Sequence, residues 1–132
     1  MSTSERIDAA GDFERWLKRE FADSGAFTAL VILVEIRNRQ VTPLCSTYFN
    51  LIGDDVEWSD IVVMFAGAGR EWDGAAFFPV VGSSGGPLDN PGARLRLREL
   101  EIKIDNDRLV LNAGQFFDKW GRRMTIEEVT LG

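Results

Sequence analysis

The longest apolar stretch of the chain runs from Phe27 to Arg37 and reads FTALVILVEIR. Up to Ile36 its only polar residues are Thr28 and Glu35, and it is rich in β-branched side chains. Branching at Cβ restricts the side-chain torsion and suits a pleated strand better than a helix. The stretch is shorter than the ~20 apolar residues that cross a bilayer. It therefore predicts the central strand of a sheet.

This strand has two different halves. A continuous apolar strand is covered on both faces, whereas a strand with one exposed face alternates apolar and polar residues. Alternation begins only after Val34, where Ile36 continues one face and Glu35 and Arg37 take the other. We therefore expect the first half to be buried on both faces and the second half to emerge at the rim of the sheet.

Length and cysteine content indicate the type of protein. A chain of 132 residues, 45% of them hydrophobic, has the size of one domain, so we predict a single domain over residues 1–132. Its one cysteine, Cys45, cannot form an internal disulfide, which is typical of a reducing compartment. The first residues, MSTSERIDAAGDFERW, lack the apolar segment of a signal peptide. We therefore expect a cytoplasmic protein.

Charge and the absence of histidine exclude several function classes. The net charge is −6, and Asp54, Asp55, Glu57 and Asp60 carry much of it without a nearby base. Nucleic acids and anionic membranes require a positive surface, so neither is an expected partner. The chain has no histidine, the commonest general base and a frequent zinc ligand. We predict no metal site and no cofactor.

Two helices are predicted. Ser2 to Glu5 matches a capping box, and the helix after it ends at Gly25. Its apolar stripe consists of Ile7, Ala10, Phe13, Leu17 and Phe21, with Trp16 beside the stripe and covering the sheet edge. A second helix starts at Asp54-Asp55 and carries Trp58, Ile61, Val62, Phe65 and Ala66 on one side, before Gly67 and Gly69 end it. Residues 61–66 also have strand propensity, so a strand remains the alternative there.

The remaining segments are interpreted mainly as strands. Pro43 marks a strand end, an edge or a bend, because proline cannot donate to a sheet ladder. The predicted strands are Leu44–Ile52, Gly74–Val81, Ala93–Asp105 with a bulge at Arg98-Glu99, Arg108–Leu111 and Arg123–Val129. Gly82–Gly92 is predicted to be a long glycine-rich loop. Residues 116–121 form either a short helix or a hairpin, and we favour the hairpin.

These elements define an α+β fold. The N-terminal helix and the second helix are expected to pack on one face of a mostly antiparallel sheet of five to six strands. The other face is expected to be at least partly solvated, because the charged residues of Ala93–Asp105 alternate with its leucines and isoleucines.

The first candidate site is a protein-interaction surface at Phe77, Phe78, Pro79 and Leu88. Adjacent aromatic residues on a strand place one ring on each face, and proline is typical of an edge strand. An exposed phenylalanine beside a proline-bounded loop suits a protein contact.

The second candidate site is a small polar cleft lined by Tyr48, Arg70, Glu71, Trp72 and Asp73. In this interpretation Glu71 or Asp73 would act as a base beside the tryptophan. The alternative is a surface turn with one buried indole.

Four weaker motifs have simpler structural explanations, which we favour. Asp54, Asp55, Glu57 and Asp60 could bind Mg²⁺ or Ca²⁺ but also suit a helix start. Asp105-Asn106-Asp107 begins like a calcium loop but lacks its later glycine and glutamate, and it also suits a polar hairpin turn. Gly67-Ala68-Gly69-Arg70 could hold an anion but also suits a helix terminator. Lys119, Trp120, Arg122 and Arg123 could bind an anion but also suit a hairpin tip.

The predicted function is a non-enzymatic protein-interaction module: an adaptor, a chaperone-like protein or an inhibitor. Its partner would be another protein or a second copy of this chain, paired through an edge strand or the open sheet face. The alternative is a small-molecule-binding protein or a carboxylate-dependent enzyme with a pocket between sheet and helices. A third class is a structural subunit of a larger assembly.

Overall fold

A computed structural model describes residues 11–69 and 71–126 of the protein. The helices are α1 (Asp12–Ser24), α2 (Trp58–Ala66) and α3 (Asn90–Asn106), and a 3₁₀ helix spans Arg108–Ala113. The strands are β1 (Phe27–Arg37), β2 (Gln40–Leu51), β3 (Gly74–Val80) and β4 (Gln115–Asp118). None of the described helices has the length and apolar character needed to cross a membrane.

The strands form one antiparallel sheet in the order β2-β1-β3-β4. The predicted strand Phe27–Arg37 is confirmed as β1, and it pairs with a neighbour on each side. A two-residue turn joins β1 to β2, with positive φ at Asn38 and Arg39, the backbone that a tight hairpin requires. The register shifts where Pro43 faces Val34, so the proline lies at a bulge on an edge strand, as expected for a residue that donates no hydrogen bond.

One face of the sheet is covered by α1 and α2. The buried side chains there are Phe13, Trp16, Leu17, Phe27, Ala29, Val31, Leu33, Leu51, Trp58, Ile61, Phe65, Ala75, Phe77 and Phe117. Residues 61–66 form a helix and not the alternative strand. Gly25 ends α1 with positive φ, as predicted. Trp16 does not cover the sheet edge as predicted. It is buried in this core, where it contacts the rings of Phe77 and Phe117.

The other face is covered by α3, so the predicted strand Ala93–Asp105 and its bulge are wrong. Ala93, Leu97, Leu100 and Ile104 recur at steps of four, three and four and face the sheet, which is the period of a helix. Leu95 and Ile102 point outward and are 59% and 57% exposed. The change of parity that a bulge would explain in a strand is the ordinary spacing of an amphipathic helix.

The start of α3 has strong local signals. Asp89 caps the helix by accepting a hydrogen bond from the backbone N–H of Gly92 at 2.8 Å, and Pro91 lies in the first turn. Aspartate before a helix and proline at its first positions are both favoured. The predicted loop Gly82–Gly92 is therefore too long, since its last three residues are helical. Helix α3 covers only part of this face, since Tyr48, Phe78 and Val80 on it are half-buried.

The C-terminal strands also differ from expectation. Arg108–Leu111 is not a strand but belongs to the 3₁₀ helix, which Asp107 caps. The chain then forms β4 and turns back, so that Phe117 bridges Arg123, which confirms a hairpin at residues 116–121. Within residues 11–69 and 71–126 the sheet thus has four strands rather than five to six. The predicted capping box at Ser2–Glu5, together with Ile7 and Ala10, lies outside the described residues. Of the predicted strand Arg123–Val129, residues 127–129 lie outside them too, and residues 123–126 form only an isolated bridge at Arg123.

The two interpretations of Ala93–Asp105 predict different mutational effects. In a strand, Ile102 and Ile104 would share one face, but in α3 Ile104 is 1% exposed and Ile102 is 57% exposed. Ile104→Ala is expected to lower the free energy of unfolding by about 2–5 kcal/mol, because it leaves a cavity in the core. Ile102→Ala, the matched control, is expected to change it by less than about 0.5 kcal/mol. Urea unfolding of both variants measures this, and equal losses would contradict the helix.

Candidate functional site

A groove lies between the end of β3 and one side of α3. Because β4 pairs only with Gly74–Phe77, the last three residues of β3 continue beyond it. The groove has a volume of about 360 Å³. Its lining consists of Leu30, Phe78, Pro79, Val80, Leu100 and Ala113, with Arg96, Glu99 and Lys103 on the helix side. We refer to it as the β3–α3 groove.

Close packing at Gly114 fixes one end of the groove. A Cβ atom on Gly114 would lie 2.6 Å from the carbonyl oxygen of Phe77 and 2.8 Å from the ring of Phe78. Only glycine lets the chain between the 3₁₀ helix and β4 approach β3 this closely. The Phe78 ring is thereby held on one side, while Pro79 and Val80 remain half-buried at the groove.

The helix side of the groove is charged. Arg96, Glu99 and Lys103 are spaced by three and four residues, so they lie along one flank of α3. None of the ion pairs among the described residues involves Arg96 or Lys103. Arg96 and Lys103, which have no ion-pair partner among the described residues, therefore lie with Glu99 beside an apolar floor.

The residues of the predicted interaction surface do not all lie together. Phe78 and Pro79 line the β3–α3 groove. Phe77 is fully buried on the opposite face, where its ring packs on those of Phe13 and Trp58. Leu88 is half-buried near the end of β3, and its backbone N–H donates to Thr28 Oγ1 at 2.8 Å. Phe78 and Pro79 are thus accessible to a partner, and Phe77 is part of the core.

The residues of the predicted polar cleft do not converge. Tyr48 packs on the α3 face of the sheet, with its hydroxyl 3.4 Å from Asn90 Oδ1. Trp72 packs on the opposite face against Trp58 and Phe65.

The acidic neighbours of Trp72 have separate environments. Glu71 is exposed. Asp73 accepts a hydrogen bond from the backbone N–H of Ile36 at 2.8 Å and lies 3.8 Å from Lys119 Nζ, so its carboxylate joins β1 to the hairpin tip. Arg70 lies outside the described residues.

Two of the weaker motifs have structural roles other than those predicted. Helix α2 starts at Trp58 and not at Asp54-Asp55. Asp105-Asn106-Asp107 is not a hairpin turn but the end of α3, where Asp107 caps the 3₁₀ helix that follows. Glu57 and Asp60 form a reciprocal capping box at the start of α2, and Gly69 has a positive φ of 70° just after that helix ends. In the described part of the chain, no three or more Asp, Glu or Cys side chains are grouped so as to hold a metal ion.

The aromatic residue at the hairpin tip is exposed between two cations. Trp120 is 66% exposed, with Lys119 and Arg122 at 5.7 and 5.0 Å from its ring. Lys119 is paired with Asp73, and Arg122 lies 2.9 Å from Asp118. The predicted basic patch is therefore largely compensated by carboxylates.

The charged residues of the groove could not be identified while Ala93–Asp105 was interpreted as a strand. In that interpretation Arg96 belongs to a fully solvated face, and nothing places Lys103 near Phe78. The spacing of Ala93, Leu97, Leu100 and Ile104 is the signal that would have placed both cations on one helix flank.

Comparison with protein-family models, with curated protein sequences and with solved structures finds no significant match to this chain. The function has to be inferred from the geometry of its own residues.

The position of Asp73 predicts a structural role for its carboxylate. Asp73→Ala is expected to lower the free energy of unfolding by about 1–2 kcal/mol, because the N–H of Ile36 loses its acceptor. Glu71→Ala, which removes an exposed carboxylate from the same segment, is expected to change it by less than about 0.5 kcal/mol. Thermal and urea unfolding provide the measurement. Equal stability of the two variants would show that Asp73 is free for another role.

A second carboxylate predicts a pH dependence. The backbone N–H of Arg123 donates to Asp12 at 2.7 Å and, with the side chain of Arg15, holds the pKa of Asp12 below its ordinary value. A lowered pKa in the folded state means that the charge of Asp12 stabilises the fold above the unfolded pKa of 3.8 and that this stabilisation disappears as pH falls below it. Asp12→Asn is therefore expected to be less stable than the wild type at pH 7, and this difference in stability is expected to shrink as pH falls below 3.8. A difference that is independent of pH would contradict the role of the charge.

Proposed function

We propose that the protein is a non-enzymatic protein-binding module that holds an extended segment of a partner in the β3–α3 groove. Apolar side chains of the segment would contact Phe78 and Val80, and its carboxylates would contact Arg96 and Lys103. The observation that carries this proposal is the combination of an accessible apolar floor with two cations that have no ion-pair partner among the described residues.

The apolar floor supports protein binding. Aromatic side chains are enriched in protein interfaces, and a half-buried ring is already partly ordered before the partner arrives. Pro79 has no N–H, and β4 does not reach this part of β3. A bound segment would therefore depend on side-chain contacts more than on a complete added ladder.

The charges support a partner with separated carboxylates. Seven helical residues rise about 10 Å, so Arg96 and Lys103 can contact carboxylates about three residues apart in an extended segment. Glu99 lies on the same flank and would repel a continuous acidic run. The arrangement favours a segment in which carboxylates alternate with apolar residues. Such charge complementarity contributes chiefly to specificity and to the rate of association.

A small molecule is the second candidate for the same groove. Its volume of about 360 Å³ lies at the lower end of the range for ligand pockets, ~300–1,000 Å³. The chemistry of the lining would favour an apolar carboxylate. At 100 times its dissociation constant, such a ligand would raise the midpoint of thermal unfolding by roughly 3–6 °C.

A displayed library of random linear 12-residue peptides tests the proposal. Peptides selected on the wild-type protein are expected to combine apolar residues with spaced carboxylates. Arg96→Glu/Lys103→Glu is expected to weaken their binding by at least about tenfold, because each substitution puts like charges together. The fold should be retained, since both residues are exposed.

The matched control uses two arginines on other sides of the same helix. Arg94→Glu/Arg98→Glu makes the same change in net charge at exposed positions that do not line the groove. It is expected to leave peptide binding within about twofold of the wild type. Equal loss in both double variants, or selection of no peptide at all, would contradict binding in this groove.

A further inference from the structure

The outer edge of β2 is long and has no strand paired with it among the residues that the structure describes. β2 has 12 residues, about twice the usual strand length. Exposed edges invite pairing with another chain, and proteins usually obstruct them with prolines, bulges or charges. Here Pro43 and the bulge obstruct only the first part of β2. The second part, Cys45–Leu51, has no proline and no charged residue.

The two ends of β2 carry opposite charge. Arg37 ends β1 and Arg39 lies in the turn before β2, and Arg39 has no ion pair with a described residue. Asp54 and Asp55 follow the strand, are exposed, and have no such ion pair either. Twelve strand residues span about 40 Å, which is several times the screening distance of ~8 Å at physiological salt. Within one copy, these charges cannot compensate each other.

We propose that the protein forms a two-fold symmetric dimer in which Cys45–Phe49 of β2 pairs antiparallel with the same segment of a second copy. Antiparallel pairing brings the acidic end of each strand to the basic turn of the other. With the axis at Thr47, Cys45 faces Phe49 of the second copy, and the acidic residues that follow each strand lie towards the basic turn of the other. The charge pattern thus favours a second copy in antiparallel orientation and disfavours a parallel one.

The side chains of the strand fit this arrangement. Cys45, Thr47 and Phe49 lie on the α1–α2 face, and Cys45 and Phe49 are half-buried. In the symmetric pair Phe49 would face Cys45 of the second copy, and the two Thr47 side chains would meet. Cross-strand pairs of this kind stabilise sheets. The two sheets would then form a continuous eight-stranded sheet, since each has four strands among the described residues.

The edge strand is hydrogen-bonded to α3 in one copy. On the α3 face, Ser46 is hydrogen-bonded to Glu101, and the Tyr48 hydroxyl lies 3.4 Å from Asn90. An ordered strand loses little entropy on pairing. The β2 edge and the β3–α3 groove lie on opposite sides of β1, so dimerisation would leave the groove open to its own partner.

Sedimentation of the wild-type protein over about 1–200 μM tests the dimer. The expected result is a mass that rises towards twice that of the monomer, with weaker association as NaCl is raised from about 0.05 to 0.5 M, because salt screens the exposed charges. A monomer at every concentration, or association that is unaffected by salt, would overturn the proposal.

Charge exchange tests the orientation. Arg39→Glu and Asp55→Arg are each expected to weaken self-association by about tenfold, because each places like charges together twice in the dimer. An equimolar mixture of the two variants is expected to regain association within about threefold of the wild type, since both contacts are then attractive. Arg94→Glu, an exposed control on α3, should have no effect. Circular dichroism confirms that each variant is folded, and a mixture that stays monomeric would overturn antiparallel pairing through β2.

Discussion

The burial of β1 on both faces is the constraint on which the rest of the structure depends. Every residue from Phe27 to Val34 is buried, so neither face of this strand can be left to solvent. Apolar surface of this extent gains about 25 cal/mol for each Å² removed from water, and leaving one face open would forfeit a large share of that gain. The fold therefore needs helices on both sides of the sheet. α1 and α2 supply one layer, and α3 supplies the other.

This constraint shows how far the sequence could predict the fold. β1 has the bounds that its composition predicts, and the existence of β2, α2 and the C-terminal hairpin is predicted too. The starts of two of these elements differ from the prediction, because β2 begins at Gln40 and contains Pro43, and α2 begins at Trp58. The strand predicted for Ala93–Asp105 is wrong because that prediction rests only on the alternation of residues within the segment. A strand there leaves the second face of β1 without cover, whereas a helix covers it. The need to bury the second face of β1 favours the helix, whereas the residue pattern within 93–105 alone does not distinguish a helix from a strand.

The candidate site was predictable only in part for the same reason. Phe78 and Pro79 could be identified from an aromatic pair beside a proline, which depends on neighbours in sequence. Arg96 and Lys103 come from an element 18 and 25 residues after Phe78, so their position depends on the type of that element. A strand displays its charges on one face, and a helix distributes them around its axis. Arg96 and Lys103 can therefore be placed in the groove only once residues 90–106 are known to form a helix.

Both proposed binding surfaces follow from the unequal lengths of the strands. β1 and β2 have 11 and 12 residues, β3 has seven and β4 has four. On the side of β4, the shortening leaves the end of β3 uncovered and creates a groove beside α3. On the side of β2, there is no shortening, and Cys45–Leu51 has no second strand paired with it among the described residues. The two edges thus differ in kind. The edge beside β4 presents apolar and charged side chains to a segment of another protein. The β2 edge presents backbone groups along an uncharged segment whose two ends carry opposite charges. A carboxylate in the middle of such a strand would be the simplest protection against pairing with another chain, and this chain is rich in carboxylates. The charges lie at the ends of β2 instead, where they direct pairing rather than prevent it.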